Sequence, residues 1–199
     1  AMTWRSMLLL ALLAACGDGP GRNVTIRLRH DGANRVAAVH IPDNPTGLPM
    51  PVIFNFHGYL SSARQQQGYA GLDALADEKT FISIHPDGVN HSWNAGVCCG
   101  WAQATDLDDV GFVDAVLREV GWLAPVDRTR VYAMGMSNGG FMGFRLACER
   151  AEVFAAMVSV TGINGFKDCN PTRSVGVLHF HGTDDRIVPY GGNPQNGFP

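Results

Sequence analysis

Val131-Tyr-Ala-Met-Gly-Met-Ser-Asn-Gly-Gly140 is the stretch whose reading decides the fold. It opens as an apolar run suited to a buried strand. It continues as Gly135-x-Ser137-x-Gly139, and an apolar helical pattern begins near Phe141. Strand, tight turn and helix in that order make a nucleophile elbow. The serine backbone in such a turn is strained, and glycines flank it to avoid clashes. The product is one exposed hydroxyl at the carboxyl edge of a parallel sheet, beside the amino end of a helix. The spacing alone arises by chance in roughly one chain in ten of this length, so its meaning rests on what surrounds it.

Outward from the elbow, residues 154–160 and 175–180 read as two further strands. Upstream, residues 24–30 alternate apolar and polar with the period of a half-exposed strand. Asp31-Gly-Ala-Asn34 is turn chemistry and residues 35–41 a second strand, which predicts an antiparallel hairpin. A proline-rich loop, residues 42–51, leads to the mostly apolar run 52–56, suited to a strand buried on both faces. Strand and helix then alternate: a helix in the later part of 62–79, a strand at 81–85, and an irregular stretch 89–105. Asp106 is placed to cap a helix through Trp122. A hairpin followed by alternating strands and helices predicts an α/β sheet covered on both faces. Active residues in that architecture sit on loops at the carboxyl ends of the strands.

The 199 residues are 46% hydrophobic and 17% charged, which fits one globular domain with a sizeable core. A net charge of -3 leaves no basic footprint for nucleic acid. Residues 1–16 read as a signal peptide, with a positive start at Met2-Thr-Trp-Arg5. The apolar run after it is too short to span a bilayer. Leu13-Ala-Ala-Cys16 has the shape of a lipobox, whose cysteine thiol takes a diacylglycerol. The expectation is an exported lipoprotein that meets the membrane only through its lipid anchor. Residues 17–23 would be a tether and 24–199 the domain. Oligomeric state stays open.

Export implies an oxidising compartment, where the remaining four cysteines favour disulfides. Cys98-Cys99 lacks the spacing of a zinc site. Cys148 closes the helix after the elbow and Cys169 opens a later connection, so these two are expected to pair. Cys98 and Cys99 would then be a vicinal bridge or two free thiols.

Three loops can carry chemistry with Ser137. In His57-Gly58-Tyr59, the glycine lets the chain bend so that the Tyr59 N–H points into the site. With the N–H of Asn138 it would form an oxyanion hole. His57 itself reads as structural, bonding loop backbone. Asp184 and Asp185, after the last strand, compete to orient a triad histidine. Trp93 and Trp101, with Tyr59, are candidates to line a substrate pocket. Asp106, Asp108 and Asp109 read as helix-start carboxylates favoured by the dipole, and no metal site is expected.

Gly135-Met-Ser-Asn-Gly139, Phe56-His-Gly-Tyr59, Trp93-Asn-Ala-Gly-Val-Cys-Cys-Gly100, Asp108-Asp-Val-Gly-Phe112 and His181-Gly-Thr-Asp-Asp-Arg-Ile-Val-Pro-Tyr190 occur here in order. Together they resemble the secreted polyhydroxybutyrate depolymerase and feruloyl esterase group of α/β-hydrolases, in a bacterial lipoprotein form. The resemblance runs from about Val24 to Tyr190. It implies an α/β-hydrolase fold, with a mostly parallel central sheet and an N-terminal antiparallel hairpin. It also implies Ser137 as nucleophile, Asp185 rather than Asp184 as the triad carboxylate, and ester hydrolysis without a cofactor. The substrates implied are small or polymeric esters: hydroxycinnamoyl or acetyl esters of polysaccharide, or short polyhydroxyalkanoates.

The chain departs from that pattern in one respect. A triad of this order needs a histidine after Asp185, and all seven histidines lie upstream. His181 is too close in sequence to Asp185 to serve easily as the base. The expectation is that the C-terminal part of the domain is missing and that this polypeptide is nearly inactive. Two alternatives stand beside it. One is a serine peptidase of the prolyl oligopeptidase type; the other is a non-catalytic surface lipoprotein that binds esters or glycans.

Overall fold

The alternation at residues 24–41 folds into a hairpin in the computed structural model, which describes residues 21–166 and 168–193. The signal peptide and Cys16 therefore lie outside the described residues, as does the end of the last loop at 194–199. Strand β1 (Arg22–His30) pairs antiparallel with β2 (Ala33–Ile41) around the Asp31-Gly32 turn. Its first two residues fall within the stretch read above as a tether.

Beyond the hairpin the elements alternate. Strand β3 (Met50–Phe56) leads to helices α1 (Ala63–Ala70) and α2 (Leu72–Lys79), then β4 (Ile82–Pro86). Helices α3 (Gly100–Ala104) and α4 (Asp109–Leu123) precede β5 (Val126–Met136), and α5 (Asn138–Glu149) leads to β6 (Ala156–Val160) and β7 (Gly176–Phe180). Among the described residues these strands form one sheet in the order β1-β2-β4-β3-β5-β6-β7. The pairs from β4 to β7 are parallel and those within β1-β2-β4 antiparallel.

Two local readings are corrected. Residues 63–79 form two helices, and the first begins earlier than the apolar pattern indicated. Ser62 Oγ accepts the Gln65 N–H at 3.3 Å, and Gly71 (φ 59°) ends α1 in the left-handed conformation glycine tolerates best. The cap of α4 is Asp108, which accepts the Gly111 N–H at 2.8 Å. Asp106 lies in the turn before it, at φ 51°.

Alternation on β3 sorts the core. Phe54 and Phe56 face the larger cluster, with Phe112 and Val116 of α4, Phe141 and Leu146 of α5, and Phe154. Ile53 faces the opposite side, where Leu72 and Ala76 of α2 pack with Phe81. After β3 the chain moves to β4 on one flank; after β4 it crosses to β5 on the other. The loops leaving β3 and β5 thus part at a topological switch point, where open α/β sheets form their crevice.

Candidate active site

Phe56 and Gly135 are paired on neighbouring strands, so the chain leaves β3 and β5 side by side. Ser137 follows at φ 52°, ψ −122°, a conformation that side-chain-bearing residues rarely hold. Its N–H donates to Val160 O at 2.8 Å and its carbonyl accepts the Phe141 N–H at 3.0 Å. Packing explains the glycines. A Cβ on Gly139 would collide with the Phe56 carbonyl, and one on Gly135 with the Gly139 backbone. Helix α5 starts at Asn138, three residues earlier than its apolar pattern indicated, so its amino end abuts Ser137 directly.

The His57-Gly58-Tyr59 bend lies against this turn. A Cβ built on Gly58 would stand 3.4 Å from Met136 O and 3.5 Å from Ser137 Cβ. His57 is fully buried. Its Nδ1–H donates to Gly58 O at 2.8 Å, and its Nε2 accepts the Gly88 N–H at 2.9 Å. Both ring nitrogens are thus committed to loop backbone in the neutral form. Burial also holds the imidazole below its ordinary pKa. The Tyr59 ring is half exposed and packs over Gly100, where any Cβ would meet it at 2.5 Å.

Trp93 does not line an open pocket, contrary to the expectation. It is 0% exposed, edge-on to Phe56 at 5.3 Å between centroids, with its Nε1–H donating to His57 O at 3.0 Å. An indole in a loop looks the same in sequence whether it packs or binds; here the sheet end is apolar enough to absorb it. Trp101 is 43% exposed and remains at the surface. Cys98 and Cys99 are joined as a vicinal disulfide, and Cys148 is joined to Cys169.

Sequence reasoning missed the side chains that hold this loop. The Asn138 carboxamide accepts the Trp93 N–H at 2.7 Å and donates to Trp93 O and Cys98 O, both at 3.1 Å. Asp109 is wholly buried rather than a dipole-facing surface carboxylate. It takes Arg35 Nη2 at 2.5 Å and the Asn94 N–H at 2.7 Å. Burial works against both charges of the Arg35–Asp109 pair, and their mutual contact opposes it. A charged residue inside an otherwise apolar period, as Asp109 is beside Val110 and Val113, was the available signal.

The third loop follows β7. Asp185 Oδ1 accepts the N–H groups of Ile187 and Val188, each at 2.9 Å, and these bonds, Val188 first, hold its carboxyl below the ordinary range. Asp184 makes no such turn. His181 is occupied: its Nε2–H donates to Val188 O at 2.7 Å, and Nδ1 faces His179 Nε2 at 3.2 Å. The loop sits on the same sheet edge as the elbow. The two are stitched across β6 by Ser137 N–H to Val160 O and Thr161 N–H to Phe180 O, each 2.8 Å.

A family model described as the alpha/beta hydrolase fold matches residues 51–198. The chain is 33% identical over 169 residues to feruloyl esterase B of Piromyces equi, covering 79% of this chain and 30% of that protein. It is 30% identical over 210 residues to feruloyl esterase C of Emericella nidulans, covering 94% of this chain and 72% of the relative. Among solved structures, a thermostable esterase superposes with a TM-score of 0.67 at 19% identity. That match covers 89% of this chain and 50% of the other, and it shows the fold alone. The chain thus spans less than a third of the length of the Piromyces enzyme.

Proposed function

The chain belongs to the α/β-hydrolase fold family, in its feruloyl esterase-like group, and on that premise we propose that it hydrolyses carboxylic esters through an acyl-enzyme on Ser137. The observation that carries this is the Ser137 backbone at φ 52°, ψ −122°, with Gly58 packed against it. Ser137 Oγ attacks the ester carbonyl carbon. The charge that develops on the carbonyl oxygen falls to the N–H groups of Tyr59 and Asn138. The C–O bond to the alcohol then breaks, and water hydrolyses the acyl-enzyme by the reverse sequence. Asp185, kept ionised by its two amide bonds, orients the base.

That base is a histidine supplied from outside these 199 residues. His57 spends both ring nitrogens on loop backbone, and His181 Nε2, though 3.5 Å from Asp185 Oδ2, donates to Val188 O at 2.7 Å. Without the base Ser137 is a weak nucleophile, so the 199-residue chain alone turns over very slowly. The relatives' names favour hydroxycinnamoyl esters over hydroxyalkanoates, and exposed Trp101 and Tyr59 offer aromatic surface beside the loop. Export with a lipid on Cys16 belongs to the same reading, supported by the leader pattern and by two disulfides.

The test compares the natural gene product with the 199-residue chain on a hydroxycinnamoyl ester. Activity in the first, its loss by at least about 10³-fold in Ser137→Ala, and little in the second are expected. Equal activity in both chains would overturn the account of the base. A second reading is a non-catalytic binder of esters or glycans on the same scaffold. Failure of a fluorophosphonate probe to label Ser137 in the natural product would decide for it.

A further inference from the structure

Each of the two oxyanion donors is attached to one residue, and it is the same residue. Trp93 donates its indole N–H to His57 O on the Tyr59 side, and its own N–H and C=O both pair with the Asn138 carboxamide on the elbow side. We propose that Trp93 is a positioning residue that sets the separation and direction of the Tyr59 and Asn138 amides. The proposal rests on the ester-hydrolase reading above.

The geometry works through the peptide planes. In a trans peptide the C=O and N–H point in opposite directions, so holding one aims the other. Gly58 O is held by His57 Nδ1–H at 2.8 Å and by the Ser61 N–H at 3.1 Å, which aims the Tyr59 N–H the other way. The indole holds the carbonyl of the preceding peptide, His57 O, so the segment that enters Gly58 cannot shift without breaking a buried bond. On the other side, the carboxamide grip on the Trp93 backbone fixes Asn138 and with it the first amide of α5.

A brace must itself be fixed, and this one is. The Trp93 ring is sealed against Phe56 and lies 5.0 Å from the His57 ring. The next residue is pinned in both directions: the Asn94 N–H donates to Asp109 at 2.7 Å, and Asn94 O accepts Arg145 Nη1 at 2.6 Å. Cys98 O, four residues on, returns to the same Asn138 amide group.

The experiment uses the natural gene product as wild type, Trp93→Phe, Asn138→Ala and the double variant. Phenylalanine keeps a ring in the core but removes the indole donor and part of the ring volume; Asn138→Ala keeps the backbone N–H and removes the clamp. For each, kcat and KM on a hydroxycinnamoyl ester, Ki for a trifluoromethyl ketone and the melting temperature are measured. Each single variant should lower kcat by about 10- to 100-fold, since small misplacements of catalytic groups cost that much. KM should stay within about twofold, the pattern of an interaction made only in the transition state. Affinity for the ketone, whose hemiketal oxygen needs the same donors, should fall by the same factor as kcat. The double variant should be no worse than the worse single one. Unchanged kcat, a fall in kcat without the matching loss of ketone affinity, or a lower melting temperature with kcat retained would each overturn the brace. If Trp93→Phe fails to fold, Asn138→Ala carries the comparison alone. A wild type that neither turns over ester nor takes a fluorophosphonate on Ser137 would overturn the functional reading and the brace with it. An active wild type with indifferent variants would overturn only the brace.

Discussion

Phe56 and Phe180 each end a parallel strand of the same sheet, yet Phe56 is 0% exposed and Phe180 54%. The contrast extends to their surroundings. Around Phe56 the loop backbone is gripped by buried His57, Trp93, Asn138 and Asp109. Around Phe180 every residue of β7 is exposed, and Asp185 is held by two amides of its own turn. In these 199 residues the loop after β3 is gripped by long-range side-chain contacts, whereas the Asp185 carboxylate is bonded within its own turn. A donor that must stabilise a charge lasting only for the transition state needs rigidity from its surroundings. A carboxylate that stays ionised needs only its own turn.

Four measurements on the 199-residue chain test that division. The largest effect should come from Phe56→Ala, destabilising by about 3–5 kcal/mol in urea denaturation, while Phe180→Ala costs less than about 1 kcal/mol. Similar losses for both would abolish the contrast. Asp109→Asn should cost about 3 kcal/mol, because it leaves the buried Arg35 charge unpaired; an Arg35→Met/Asp109→Leu double variant should recover part of it. Cys148→Ser opens a bridge with a sequence separation of 21 and should cost about 2–3 kcal/mol, also by urea denaturation.

The smallest effect is a pH dependence. His57 is held neutral by burial, its pKa lowered from 6.5, so below about that value the unfolded chain binds the proton more readily than the folded one. Its contribution is therefore complete above that pH and fades as pH falls toward the folded pKa. His57→Asn should flatten the slope of stability against pH in that window. An unaltered slope would mean that His57 is not held neutral as described.

This division also explains what was legible in the sequence. The elbow, the hairpin and the succession of strands and helices along the chain follow from local signals, namely period-two alternation, turn residues and the Gly-x-Ser-x-Gly spacing. The Asp185 turn was within reach for the same reason, since its hydrogen bonds go two and three residues along the chain. The brace was not. Asn138 and Trp93 are 45 residues apart, and Arg35 and Asp109 are 74 apart. A Trp or Asn in a glycine-rich loop carries no mark of where its donors will point. The Asn55 side chain inside β3 is a further case. It accepts from Gln66 Nε2 at 2.8 Å and faces His85 Nδ1 at 3.3 Å, partners 11 and 30 residues away that no periodicity reveals.

The bridge from Cys148 to Cys169 has a consequence outside folding energetics. It fastens the end of α5 to the segment that precedes β7, with the whole of β6 between the two cysteines. A protease that cuts between residues 149 and 168 would open the backbone without releasing either piece. The nicked protein would run as one band on a gel without reductant and as two with it, and the carboxylate loop would stay tethered to the helix that follows Ser137.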